Sequence, residues 1–287
     1  MSPLLLALLS ALCYGLALIV GRVALRHIDT RAGSAISVPT ATLMFVLAAP
    51  FTVAPSEVTL RGLLCFAALG VVFPAAVTVL TFRSNERLGP TMTSAVFGTS
   101  PLFAILAAGL FLGEKVPPQA AGSALGIAAG VGMLTWKRGE GLHALAARRL
   151  ALPLFGAVVR GAAQAAAKAT LLVWPNPFAA TLVGYLVSSG VLVANDRLKG
   201  GDRKARTRSG VLWFAITGVV NGLAILLMYA ALTQAPVWQV APIVASYPIV
   251  TVLLGALLLH EEKFSLRVAF GAAVIVASVV WLVGARG

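Results

Sequence analysis

Long apolar runs separated by short polar stretches dominate the chain. Ten of them, at 3–21, 32–54, 62–82, 91–112, 119–136, 151–173, 178–195, 211–232, 237–259 and 268–284, each predict a helix able to cross a bilayer, for which roughly 20 apolar residues suffice. The runs are uniformly apolar and do not alternate, which argues against a strand-built barrel. Connections are short, and the longest (137–150 and 196–210) are basic and rich in small residues. No room is left for a soluble domain, a phosphate-binding loop or a dinucleotide fold. The first run lacks a basic leader and an obvious cleavage signal, so it reads as a retained span and not a signal peptide.

One run breaks the pattern. Within Leu150–Val173 a guanidinium, Arg160, stands near the middle, followed by Gln164 and Lys168 at four-residue intervals. On a helix these three share a face that drifts by only about 40° per step. A cation facing lipid at that depth costs at least roughly 2.5–3.5 kcal/mol, so the face should point to a protein interior or a wet cavity. That makes it the first place to look for a bound solute. Bracing of the bundle through backbone carbonyls is the plainer reading for Arg160, and snorkelling to the interface the plainer one for Lys168.

The chain also resembles itself. SPLFAILAAGLFLGE, starting at Ser100, aligns without gaps on YPIVTVLLGALLLHE, starting at Tyr247, an offset of 147 that pairs Pro101 with Pro248 and Glu114 with Glu261. At an offset of 146, Gly15 pairs with Gly161 and Arg22 with Lys168. The units are 1–140 and 141–287. Five spans is an odd number, so the second unit lies upside down relative to the first, the arrangement that suits alternating access around a midplane site.

The stretch Tyr14-Gly15 with Arg22, its second copy Arg160-Gly161 with Lys168, and the Leu112-Gly113-Glu114 segment with its copy Leu259-His260-Glu261, each running into a small-residue span, resemble the EamA family of the drug/metabolite transporter superfamily. The resemblance implies an all-α membrane protein of ten transmembrane helices in two inverted five-helix repeats. It also implies metabolite export across a bacterial inner (cell) membrane. Arg160 stands where the family pattern has an aromatic residue, and His260 where it has glycine.

Composition agrees with a membrane protein. Of 287 residues, 59% are hydrophobic and 11% charged, against about 25% charged in soluble domains. The net charge of +13 needs no nucleic acid. Seventeen Lys and Arg residues, from Arg22 to Arg267, fall on loops after odd-numbered spans, against Arg61, Lys115 and Arg286 on the other face. The positive-inside rule then puts the basic face in the cytoplasm and both termini outside. Ten-span relatives are drawn with both termini inside, and we follow the charge count. Cys13 and Cys65 lie in apolar runs as packing residues. No Cys/His spacing for a metal is present, and nothing calls for a cofactor.

All nine acidic residues lie in or beside loops. A buried carboxylate, which proton-coupled export of lipophilic cations needs, is therefore missing. Arg160 suits a carboxylate bidentately. Amino acids, including aromatic or other bulky neutral ones, are the expected substrates; a drug/proton antiporter or an organophosphate or nucleotide-sugar carrier are the alternatives. Tyr14, Asn221, Trp238, Gln239, Ser246 and Tyr247 are expected to line the cavity with Arg160, Gln164 and Lys168. Thr93, Ser94, Thr99 and Ser100 form the matching set from the first half. Pro101 and Pro248 are candidate hinges. Gly122, Gly126 and Gly130, with Ala269, Ala273 and Ala277, form small-residue faces on spans five and ten, suited to a neighbouring helix or to a homodimer. An intramembrane enzyme is disfavoured, because His27, His143 and His260 all lie in loops and no nucleophile–base set converges. A reporter active only in the cytoplasm, fused after Gly287, is expected to be silent, whereas the same reporter in the 196–210 loop should be active.

Overall fold

The computed structural model describes residues 1–52, 58–135, 144–198, 207–259 and 266–284, which are helical with no strand among them. The helices are α1 (Pro3–Leu25), α2 (Thr30–Ala48), α3 (Leu60–Gly70), α4 (Val77–Phe97), α5 (Ser100–Leu112) and α6 (Pro118–Thr135). They continue as α7 (Ala144–Val173), α8 (Pro177–Leu198), α9 (Arg208–Gln234), α10 (Val237–Val244), α11 (Tyr247–Leu254) and α12 (Leu266–Gly284). Seven continuous helical stretches have the length and apolarity to cross a membrane; Ser100–Leu112 and Ala273–Leu282 are shorter apolar helices.

Helix starts follow local chemistry. Ser2, Asp29, Thr59 and Thr207 accept hydrogen bonds from the backbone N–H three residues on, satisfying first-turn donors that the helix itself leaves open. A π turn at Val71–Ala76 joins α3 to α4, with Phe73 in an extended conformation before Pro74. The stretch Leu60–Phe97 spans 38 residues, nearly twice the roughly 20 a bilayer needs. It turns at Gly89, whose φ of 80° is open to glycine and strained for other residues.

The internal similarity of the sequence recurs as identical bonding. The predicted run 91–112 is not continuous: it breaks at Gly98-Thr99, and the run 237–259 breaks at Ala245-Ser246. In both, the hydroxyl at the break donates to the carbonyl three residues back (Thr99 to Val96, 2.7 Å; Ser246 to Ile243, 2.8 Å). Both helices resume with proline in the first turn, Pro101 and Pro248, where a missing N–H costs nothing. Gly15 of α1 packs under Tyr247 and Val250, and Gly161 of α7 under Ser100 and Phe103, the same contact made in each half. The pairing of Glu114 with Glu261 and of Gly113 with His260 rests on second members that lie outside the described residues.

The glycine face of α6 meets α12 of the same chain: Cβ atoms at Gly122, Gly126 and Gly130 would strike Trp281, Ser278 and the Gly271 carbonyl with Ile275. Ala273 and Ala277 point the other way and are exposed. They are therefore not the face that α6 packs on. The outer surface carries Leu8, Leu12, Leu110, Phe111, Phe155 and Trp281, the apolar coat that lipid tails require. A Gly130→Leu substitution is expected to lower the detergent-solubilised melting temperature, since a Cβ there would sit 2.8 Å from the Gly271 carbonyl oxygen and overpacking costs roughly 1–3 kcal/mol. Ala273→Leu should leave it unchanged.

Candidate functional site

The site is built where α1, α7 and α11 come together. Gly15 lets α1 approach the α11 backbone at Tyr247, and Gly161 lets α7 approach α5 at Ser100; the side chains next to these contacts, Tyr14, Arg160 and Tyr247, meet one another. The Arg160 guanidinium carbon lies 4.1 Å from the centre of the Tyr14 ring and 5.0 Å from that of Tyr247, and the two rings are 6.1 Å apart. Arg160 is only 4% exposed. Its Nε and Nη2 atoms have no hydrogen-bond partner.

Energies decide what this means. Each ring face contributes up to about 2 kcal/mol to a desolvated cation. Removing that cation from water costs several kcal/mol even after relaxation. The rings offset part of the cost and leave both N–H donors unmet. Tyr247 Oη and Gln164 Oε1 are likewise buried without a partner, so donors and acceptors both stand open around the guanidinium.

Beside Arg160 lies a cavity of about 30 Å³, lined by Tyr14, Ala17, Leu18, Thr81, Phe82, Thr217, Asn221 and Tyr247 as well. That volume suits about one water and no organic solute. Phe82, which lines the cavity, packs on Phe214 with ring centres 5.4 Å apart, within a cluster that includes Ala24, Ile28 and Ala32. A larger hollow of about 580 Å³ between α1, α11 and α12 is lined by Leu4, Leu8, Val250, Val276 and Val280. It is apolar, and its one hydroxyl, Ser246, is already bonded to Ile243. Nothing in it would hold a polar group.

Of the residues expected from sequence, Arg160, Tyr14, Tyr247 and Asn221 line the small cavity. Asn221 Nδ2 donates to Tyr185 Oη at 3.2 Å. Gln164 lies one turn from Arg160 and is buried, its amide donating to the Met228 sulfur at 3.5 Å; the Tyr14 hydroxyl also donates to that sulfur, at 3.9 Å.

The others are placed elsewhere. Lys168 does not share the Arg160 pocket: its ammonium donates to the Leu232 and Ala235 carbonyls at 2.6 and 3.1 Å, capping the end of α9. Over two turns the helical drift carries it off the face, and the open carbonyls of a helix end attract a cation. Arg22, its partner in the repeat, does the same for the other half, donating to the Asn85 and Glu86 carbonyls at 3.0 and 3.2 Å. The hydroxyls of Ser94, Thr99 and Ser246 donate to their own backbones, at Thr91, Val96 and Ile243. Trp238 belongs to the α10 start, where its N–H and that of Val237 donate to the Glu114 carboxylate at 3.0–3.4 Å. Gln239 is buried away from the cavity, with Nε2 unpartnered.

Sequence reasoning missed Thr81, Phe82, Thr217 and Met228. Thr217 had a readable signal, being one turn before Asn221 on α9. Met228 had none, because a methionine in an apolar span looks like any core residue.

No group of three or more metal-ligating side chains occurs among the described residues. A family model described as "EamA-like transporter family" matches the chain twice, over residues 1–136 and 150–284. The chain belongs to the EamA-like transporter family. A solved structure titled only "Crystal structure of protein" aligns with this EamA-like chain at TM-score 0.79, covering 97% of it and 95% of the other chain at 15% identity. That likeness concerns the fold alone. A search of curated proteins returns no match.

Lys168→Met is expected to lower the melting temperature of the EamA-like chain through the uncapped end of α9, by roughly 0.3–1 kcal/mol in stability, while leaving its ranking of substrates unchanged. Thermal shift and a competition assay read the two separately.

Proposed function

We propose that this protein is a secondary transporter that exports small carboxylate metabolites, foremost amino acids with bulky or aromatic side chains, by alternating access. Its ten crossings are organised as two inverted repeats of five. The observation that carries the reading is the buried Arg160 guanidinium, its Nε and Nη2 unpartnered, in the wall of a cavity lined by residues of both repeats. Two coplanar N–H donors are what a carboxylate accepts. The unpartnered Gln164 Oε1, one turn along α7, and Tyr247 Oη are acceptors for an ammonium, which makes an α-amino acid a better match than a simple acid.

A cationic drug is poorly served by the same pocket, since it would meet a fixed positive charge. A phosphate would want two or more cations, and Lys168 is committed to the α9 carbonyls. The acidic side chains that are described stand at helix ends: Asp29 caps α2, Glu86 accepts from Thr30, Glu114 caps α10 and Asp196 lies 3.6 Å from Arg31. Glu57, Glu140, Asp202, Glu261 and Glu262 lie outside the described residues. A homodimer through spans five and ten stays compatible only with the faces that α6 and α12 leave outward.

Arg160→Gln is expected to reduce carboxylate transport at least tenfold, because a charge-assisted hydrogen bond is worth about 1.5–3 kcal/mol. Cells overproducing the protein should survive toxic amino-acid analogues, and cells with equal amounts of folded Arg160→Gln should not. Equal survival would refute the carboxylate role.

A further inference from the structure

The hollow of about 580 Å³ between α1, α11 and α12 lies apart from the Arg160 cavity and shares no lining residue with it. It begins at helix ends: Leu4 stands in the first turn of α1, and Gly284 is the last residue of α12. Its other end is at Ile249 and Val250, and Val250 is the side chain on which α1 packs at Gly15. At 1.5 Å per residue, the rise from Leu4 to Gly15 is about 16 Å, roughly half of a 30 Å hydrocarbon core. The hollow thus runs from one membrane surface to the midplane, the depth of a single leaflet.

We propose that it is a binding site for one acyl chain of a bilayer phospholipid. The chain enters from the lipid side past Val276 and Val280, and its end lies against Ile249 and Val250. This site is independent of which solute docks on Arg160.

Wall chemistry, size and access each select this occupant. The lining is aliphatic apart from Ser246, whose hydroxyl donates to the Ile243 carbonyl at 2.8 Å. A buried water needs two to four polar partners, and a polar solute would shed its hydration with nothing to replace it. Neither is provided for.

Size separates a lipid chain from a protein helix. A methylene takes up about the 30 Å³ of a water molecule, so the hollow matches roughly one fluid chain of 16 to 18 carbons. A helix about 10–12 Å across would need roughly 1,300–1,800 Å³ over the same depth. A second copy of this chain could cover the opening but not fill it. Access favours the bilayer as well. Leu8, Val276 and Val280 at the rim are 42%, 50% and 63% exposed, and no charged side chain lines the hollow. A chain arriving from the lipid crosses no polar barrier.

The hollow shares a helix with the Arg160 site. Val250 and Tyr247 are one turn apart on α11: the first lines the hollow, and the ring of the second stands 5.0 Å from the Arg160 guanidinium carbon. An acyl chain in the hollow supports α11 where it seats on Gly15, and the Tyr247 ring with it.

The test places the purified whole chain in vesicles of phosphatidylethanolamine and phosphatidylglycerol. A trace of phosphatidylcholine carries a diazirine at the end of one acyl chain. Irradiation and peptide mapping then read which residues the chain end touches. Labelling at Ile249 and Val250 should exceed that at Phe111 by fivefold or more, although Phe111 is 83% exposed and the other two are half-buried. A diazirine beside the headgroup should move the label to Leu4. Val276→Trp, which fills the mouth, should cut the Ile249 and Val250 labelling at least fivefold and leave Phe111 unchanged; Leu8→Phe takes its place if the tryptophan variant does not fold. Labelling that follows exposure, highest at Phe111, overturns the proposal in favour of an ordinary lipid annulus. Disulfide-linked dimers through Val280→Cys, with Ile249 and Val250 unlabelled, overturn it in favour of a second copy.

Discussion

A single positive charge against two phenol rings, with no acidic side chain in ion-pair distance among the described residues, sets the terms for the rest of this molecule. An arginine can be kept inside a bilayer only if its surroundings compensate it. The rings of Tyr14 and Tyr247 compensate it in part. Gly15 seats α1 closely on α11, and Gly161 seats α7 just as closely on α5, which fixes where the rings and the guanidinium stand. The remaining deficit is chemical and directional, an open fork of two N–H groups. It is on this deficit that the proposed solute site rests.

Around the centre, the bundle repeats one set of rules at its two ends. A basic side chain, Arg22 or Lys168, closes the carbonyl end of a long helix in each half. Each half has one helix broken two residues before a proline, with a hydroxyl that turns back onto the carbonyl at the break. The two ends of the bundle are therefore held by like contacts.

Much of this was legible in the chain. Apolar run length announced the helices, and the 147-residue offset paired Pro101 with Pro248, but the runs 91–112 and 237–259 were read as continuous and their breaks just before these prolines were not foreseen. The central arginine declared itself, since burial of a charge is too costly to be incidental. What the chain concealed was direction. Lys168 has the right spacing to share the face of Arg160, yet residual twist and the pull of open carbonyls turn it to α9. Hydroxyls were the least informative signal, because Ser94, Thr99 and Ser246 satisfy themselves locally and sequence cannot tell a self-bonded hydroxyl from a free one. The α6 glycines marked a close contact correctly, whereas Ala273 and Ala277 mimicked its spacing on the outward side of α12.

Tyr14 and Arg160 occupy matching positions of the two halves, and they touch. Side chains that meet their own counterparts in this way sit on the rotation axis that relates the halves. A dimer assembled from two copies of one short chain would present identical residues there: two tyrosines, or two arginines repelling head-on. Placing an aromatic ring against a guanidinium at that spot demands two different sequences in fixed stoichiometry. Joining the halves into one polypeptide guarantees that.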